Sequence, residues 1–248
     1  MSAEENANSL HYCLYSSKTR DKDVLNLILS TKREDRLAMI PVYDRKYPEK
    51  GLMEDLKKKL GGSFRSTVVK LFQTRNEFDA ETLYNAFKGF SIDEDPIYEI
   101  LFSRSPEALE EIKYLYEQKA KKTLESDIQK HFPNPLKKNI LALLSTKRST
   151  NPNPNHSECE QRSDVMASVN PDDWLNDQEI VNTFVKCSPE ELVLTSRYYL
   201  RRTGQNILTT INGMTKSHRK FLSDLLYALI APSEFFANKI YLAIKGLG

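Results

Sequence analysis

The side chains that most often carry out catalysis are few and scattered in this chain. None of the four histidines stands in a nucleophile, metal or phosphate motif. They are His11, His131, His156 and His218. The three cysteines, Cys13, Cys159 and Cys187, are an odd number and far apart, which predicts a reducing compartment without a disulfide framework. The sequence therefore predicts a protein that is not an enzyme.

The overall composition argues against several classes of function. The 248 residues carry a formal net charge of +2 at pH 7, so bulk charge does not indicate a nucleic-acid partner. No apolar run approaches the length of a membrane span, and the first residues lack the basic and apolar regions of a signal peptide. We therefore expect a cytoplasmic protein, in which any charged partner would bind to a local patch of opposite charge on the protein surface.

The stretch 79–131 shows how the chain is organised. Apolar residues recur there in threes and fours, as in amphipathic helices. Gly89 is expected to end the first of these helices in a left-handed conformation. Each expected helix start has an N-cap residue. At one start, Ser91 and Glu94 have the spacing of a capping box, and at another, after Ser105, a proline occupies the first helical position. These starts are Asp79, Ser91, Ser105 and Thr123. The sequence predicts four short helices in this stretch.

Copies of this stretch occur before and after it. Leu101 aligns with Leu29 in the earlier copy and with Phe184 in the later copy, and Ser105–Glu107 aligns with Ser188–Glu190. A further apolar helix closes each copy. These closing helices are Phe64–Phe72, Leu136–Leu144 and Phe221–Ile230. The pattern predicts an all-α array of three five-helix repeats, each of about 70 to 80 residues.

The predicted repeats cover residues 1–75, 76–148 and 149–231, and the third begins with a polar linker from Ser149 to Asn155. Residues 232–248 resemble the first helix of a fourth copy. A lone helix cannot complete a five-helix module, so we expect the chain to be a fragment of a longer protein. The alternative is that this last helix packs elsewhere.

Four motifs make this chain resemble the annexin family. Lys88–Glu94 is similar to the family's turn between the first two helices, and Lys245–Gly248 is the cleanest example of that turn. Ser103–Ser105 resembles the start of the third helix, and Leu124–Ile128 resembles the fourth helix. The divergent turns are similar to those of protist annexins such as the alpha-giardins. The resemblance covers nearly the whole chain and implies a slightly curved disc of four repeats whose convex face binds anionic phospholipid through Ca²⁺.

Ca²⁺ binds six to eight oxygen atoms. In the family, these come from backbone carbonyls of a glycine-rich turn, from a carboxylate in the loop between the fourth and fifth helices, and from water and lipid phosphate. In this chain the carboxylate positions hold Lys59, His131 and Met214, so the resemblance implies weak, incomplete calcium sites. Glu94 and Asp21 either complete a simple site with a carbonyl and water or stabilise the first turn of a helix. The candidate calcium residues are Phe87, Gly89, Ser91, Ile92, Glu94, Thr19, Asp21, Ile244, Gly246 and Gly248.

Basic residues flank the loops that have lost their carboxylates. They either attract anionic lipid directly, an effect that salt weakens, or are solvated helix ends, since lysine is favoured in a last helical turn. Trp174 either inserts at the lipid interface or packs beneath its loop. The candidate membrane-binding residues are Lys59, Arg65, Lys137, Lys138, Trp174, Lys216 and Arg219.

The sequence thus predicts calcium-influenced peripheral binding to anionic phospholipid membranes, with direct contacts between lysines and lipid. The alternative is a calcium-independent scaffold that binds cytoskeletal filaments or another protein. The expected location is the cytoplasm, at the membrane or the cytoskeleton, and no nucleic-acid partner is expected. The sequence leaves the oligomeric state open.

Overall fold

The all-α prediction is confirmed. The structure is a computed structural model that describes residues 2–16 and 21–245, and within these ranges it contains sixteen α-helices, one 3₁₀ turn and no strand. None of the described helices is long and apolar enough to cross a membrane. Contacts divide the chain into two compact units, Met1–Phe78 and Asp79–Gly248. The division into three repeats stays a prediction.

The first unit is built from five helices around one apolar core. These are α1 (Ala3–Tyr15), α2 (Asp21–Leu29), α3 (Arg33–Lys46), α4 (Leu52–Lys59) and α5 (Gly62–Leu71). Each helix buries a stripe of apolar residues at helical spacing, and Leu10, Ile28, Met39 and Leu56 are at most 1% exposed. The second helix therefore packs on the first and the fifth, and α3 and α4 close the core.

The remaining helices follow in chain order. They are α6 (Arg75–Ala86), α7 (Glu94–Ser103), α8 (Pro106–Ala120), α9 (Leu124–His131), α10 (Leu136–Ser145), α11 (His156–Ser168), α12 (Gln178–Lys186), α13 (Pro189–Thr203), α14 (Ile207–Asn212), α15 (Lys216–Ile230) and α16 (Pro232–Lys245). A 3₁₀ turn, Pro171–Asp173, precedes α12. One continuous apolar core runs through the second unit, where α15 packs on both α7 and α16.

Local capping chemistry sets most helix starts. Ser105 and Thr123 accept hydrogen bonds from the backbone N–H groups of the first turns of α8 and α9, as predicted. The capping box expected at Ser91 is wrong, because α7 begins at Glu94 and Asp93 is its N-cap. Asp93 accepts from the backbone N–H of Asp95, so Ser91 lies outside the helix.

The expected N-cap role of Asp79 is also wrong. A capping box formed by Thr74 and Glu77 starts α6 one turn earlier, which leaves Asp79 inside the helix. Its carboxylate is buried and pairs with the Arg104 guanidinium, whose Nη2 lies 3.0 Å from Oδ1. The two-pronged pair satisfies a carboxylate that would otherwise be buried without a partner.

Candidate functional site

The turn between α6 and α7 projects an aromatic ring into solvent. The backbone N–H of Asp93 donates to the carbonyl of Ala86 at 3.0 Å and closes the turn. Gly89 has φ +138°, a conformation that few other residues adopt. Phe90 follows it and is fully exposed, at 115% of its reference area. Sequence reasoning missed Phe90, although an aromatic residue between Gly89 and Ser91 in a predicted turn was the available signal.

The carboxylate that the resemblance places at the end of α9 is missing beside this turn. At the position of the missing acid, the ring of His131 lies 5.9 Å from the ring of Phe87. The nearby Asp127 carboxylate is 1% exposed and already accepts from Tyr116 and, at 2.6 Å, from Lys122. The part of the chain that the structure describes contains no cluster of three or more His, Cys, Asp or Glu suited to a metal. These residues therefore do not fit a complete Ca²⁺ site.

Glu94, the candidate carboxylate of the same turn, has a different electrostatic environment. It is half-buried, and burial raises the pKa of its carboxyl group above the usual value. Lys220 of α15 opposes this rise, and Asp95 and Asp224 add to it. Glu94 therefore belongs to a charged network with α15, in which Lys239 of α16 also contacts Asp95 at 2.7 Å and Asp224 at 3.1 Å.

Of the two alternatives for Trp174, the structure favours packing over insertion into lipid. The side chain is 0% exposed, and its indole N–H donates to the carbonyls of Met166 at 3.2 Å and Val169 at 3.3 Å. Its ring also packs edge-on against Tyr199. The carbonyls at the end of α11 lack helical partners, so they give the buried indole the hydrogen bond it needs. The packing alternative for Trp174 is the one observed.

Two sets of side-chain contacts lie beside turns that the sequence resemblance assigned to calcium sites. The Asp172 carboxylate accepts a hydrogen bond from the backbone N–H of Thr215 at 3.1 Å, which ties the turn before α12 to the start of α15. In the first unit, the Tyr15 hydroxyl donates to Asp55 at 2.7 Å, and the ammonium of Lys59 lies 3.8 Å from the Tyr15 ring centre. Side chains therefore connect the turn before α12 to the start of α15, and the end of α1 to α4.

The other candidate calcium residues give less information. Asp21 is the exposed first residue of α2, where its charge favours the helix dipole. Ile244 is 64% exposed in the last turn of α16. Thr19, Gly246 and Gly248 lie outside the described residues. The calcium roles of this set stay predictions.

Among the helices whose N-cap residues are described, α5, α10 and α15 begin with positive charge and without a side-chain cap. The first turns of α5, α10 and α15 contain no acidic residue, and their N-cap residues Gly61, Pro135 and Thr215 make no side-chain cap hydrogen bond. We call the basic residues in these first turns the basic helix starts. They are Arg65 in α5, Lys137 and Lys138 in α10, and Lys216 and Arg219 in α15.

The two arginines of the basic helix starts also have structural partners. Arg65 donates to the carbonyl of Lys57 and Arg219 to the carbonyl of Asn212, both at 3.3 Å. The side chains of Lys137, Lys138 and Lys216 make no hydrogen bond or ion pair with another described residue, although the backbone N–H of Lys137 donates to the carbonyl of Pro133 at 2.9 Å. Lys138 and Lys216 are exposed, and Lys137 is half-buried. These three lysines are therefore available to an external anion.

Helix stability does not explain where the three lysines stand. A cation is favourable in the last turn of a helix and unfavourable in the first, by about 0.3 to 1 kcal/mol at low salt. The helix-end alternative fits Lys59, which lies in the last turn of α4, but not the lysines of α10 and α15. Uncapped N–H groups and lysines at one helix start instead favour a bound anion such as a phosphate.

Comparison with known proteins shows similarity to annexins in sequence and in fold. The family model described as Annexin matches residues 78–143. The chain is 27% identical to mouse annexin A3 over 248 residues, covering 98% of this chain and 75% of that protein. The solved structure of annexin III superposes with a TM-score of 0.91 at 23% identity and covers 100% of this chain and 77% of its own. A calcium-bound alpha-1 giardin structure gives 0.75 at 20% identity, covering 98% and 81%. The narrower alpha-giardin subgroup stays a prediction.

Proposed function

Because this chain belongs to the annexin family, we propose that it binds anionic phospholipid membranes peripherally through its basic helix starts and the ring of Phe90. Calcium contributes weakly in this proposal. Direct contacts between lysines and lipid phosphate provide the part of the binding that needs no calcium.

The observation that carries the proposal is the placement of Lys137, Lys138 and Lys216. Each stands at the positive end of a helix without an acidic neighbour in that turn. A lysine near an anionic membrane contributes about 1 kcal/mol of attraction, which salt weakens. The same lipid phosphates would accept hydrogen bonds from the uncapped backbone N–H groups. Membrane binding thus relieves an unfavourable arrangement of the free protein.

Phe90 adds an apolar contribution to this proposal. Its ring covers no core surface, so transfer into the lipid interface removes apolar area from water without disturbing the fold. Phe87, just before this turn, packs against His131 and Phe132 at the end of α9, at 5.9 and 6.4 Å between ring centres, and the basic start of α10 follows α9 in the chain. An apolar tip beside positive charge is typical of surfaces that lie on membranes.

Calcium has a smaller role because few charged ligands are present. The turn after α6 supplies backbone carbonyls, Asp93 supplies one exposed carboxylate, and water would complete the shell. The affinity of such a site falls with the number of charged ligands. We therefore expect calcium to increase vesicle binding only at high concentration.

A variant with three substitutions tests the proposal. Lys137→Gln, Lys138→Gln and Lys216→Gln together remove about 3 kcal/mol of attraction, which is roughly a hundredfold in partition onto phosphatidylserine vesicles in EGTA. The control variant carries the same change of charge at exposed basic residues elsewhere in the second unit. Its substitutions are Lys121→Gln, Lys147→Gln and Arg197→Gln.

The two variants separate local contacts from bulk charge. Equal losses in both variants would mean that only net charge matters and that the basic helix starts have no special role. If neither the parent nor the control pellets with vesicles in EGTA or in calcium, membrane binding is wrong. Filament cosedimentation then tests the scaffold alternative.

A further inference from the structure

The second unit contains an apolar pocket that membrane binding does not use. Its volume is about 450 Å³, which lies within the range of small-molecule sites. The apolar walls come from six helices or their flanking residues. They include Phe102, Leu109, Leu143, Val185, Leu229 and Phe236. No aspartate or glutamate is among the described residues that line the pocket.

Two guanidinium groups line this apolar pocket, and they differ in how their charge is balanced. Arg104 is paired with the buried carboxylate of Asp79. Arg148 has no carboxylate partner among the described residues. Its Nη1 donates to the carbonyl of Cys187 at 2.6 Å and its Nη2 to the carbonyl of Phe184 at 2.7 Å. Arg148 is therefore the cation of the pocket that lacks a counter-charge.

The two carbonyls explain only part of the Arg148 environment. They belong to the C-terminal end of α12, where unpaired carbonyls and the helix dipole attract a cation. A guanidinium has five N–H donors. Among the described residues, hydrogen bonds to Arg148 use one N–H of Nη1 and one of Nη2. Burial lowers the pKa of Arg148 to about 10, so the group is still charged at neutral pH. A partly buried cation without an anion is costly, and a bound anion would remove that cost.

We propose that this pocket binds an aliphatic carboxylate, such as a medium- or long-chain fatty acid, with the carboxylate on Arg148 and the hydrocarbon chain against the apolar walls. Charge complementarity selects this occupant, because the pocket offers one uncompensated guanidinium and apolar walls. A carboxylate also matches the forked donor geometry of arginine. The site is separate from the basic helix starts.

Calorimetry with soluble ligands tests the proposal without vesicles. Sodium decanoate below its micelle concentration is titrated into the full chain, with 1-decanol as the uncharged probe of equal length and butyrate as the charged probe without a chain. We expect saturable one-to-one binding of decanoate and at least about tenfold weaker binding of both other probes. Equal affinity for decanoate and decanol, or no binding of decanoate, would overturn the proposal.

Matched variants locate the binding site. Arg148→Met should weaken decanoate binding at least about tenfold, whereas Lys147→Met, which changes the neighbouring exposed lysine, should leave it within about twofold. Because Arg148 also caps α12, Leu143→Trp provides an independent test by filling the pocket while keeping the cation. Unchanged decanoate affinity in Leu143→Trp would place binding elsewhere and refute the assignment.

Discussion

The lysines at the start of α10 predict opposite changes in stability and membrane binding. Lys137→Gln with Lys138→Gln removes two cations from the positive end of the helix. Each cation costs about 0.3 to 1 kcal/mol there at low salt, so the free energy of unfolding should rise by roughly 0.6 to 2 kcal/mol. At about 2 to 4 °C per kcal/mol for a protein of this size, the thermal midpoint should rise by a few degrees.

The same double variant should bind vesicles more weakly. Two lysines near an anionic surface contribute about 2 kcal/mol, or roughly thirtyfold in partition. The assays are calorimetric unfolding at low salt and cosedimentation with phosphatidylserine vesicles in EGTA, because salt screens both effects. A more stable protein that binds less well is the expected pair of results.

The control for this experiment has the same change of charge but the opposite helix position. Lys121 directly follows α8 and Lys147 lies just beyond the end of α10, where a cation is favourable. Lys121→Gln with Lys147→Gln should therefore leave the thermal midpoint unchanged or slightly lower it, with little loss of vesicle binding. The reasoning is refuted if the α10 variant loses stability, or if it binds vesicles as well as this control does.

Three further outcomes follow from named side chains. Phe90→Ser should reduce partition onto vesicles by about tenfold, while the free energy of unfolding changes by less than about 0.5 kcal/mol. The control, Tyr114→Ser, changes another exposed aromatic residue and should leave both vesicle partition and stability unchanged. Equal losses of vesicle partition in the two variants would show that Phe90 is not part of the membrane interface. Trp174 fluorescence should keep the emission of a buried indole when vesicles are added, and quenching by brominated lipid chains would contradict its packing. Glu94→Gln should raise the thermal midpoint at pH 7, because the raised pKa of Glu94 means that folding disfavours its charged carboxylate. This gain in thermal midpoint should disappear as the pH falls below about 4, where the carboxylate is protonated in both states. An equal gain at pH 7 and below about pH 4 would show that the charge of Glu94 is not the cause.

Local chemistry was enough to predict the helical fold and several helix starts. Ser105 and Thr123 cap helices with backbone partners three residues away, so sequence spacing contains the needed information. Asp79 was assigned wrongly because the capping box of Thr74 and Glu77, a local signal that was overlooked, starts α6 one turn earlier. Its actual partner, Arg104, is distant in sequence and close in space. The burial of Trp174 likewise depends on the carbonyls at the end of α11, which spacing alone does not place.

The candidate site was predictable only in outline. The sequence alone predicted that Lys137, Lys138 and Lys216 lie near the degenerate loops. Only the observed helix bounds show that these lysines lie in first turns, where the helix dipole does not stabilise a cation and so does not explain their positions. Arg148 gave no sequence signal, since its lack of a counter-charge is a property of the packed pocket. Whether a buried charge is paired depends on its neighbours in the folded structure, so it cannot be predicted from sequence patterns.

The most direct test of direct lipid binding is cosedimentation of the parent chain with phosphatidylserine vesicles in EGTA, at low and at physiological salt. The proposal predicts binding without calcium that weakens as salt rises, since exposed lysines at the starts of α10 and α15 provide the attraction. Binding that appears only when calcium is added, and that salt does not change, would contradict it.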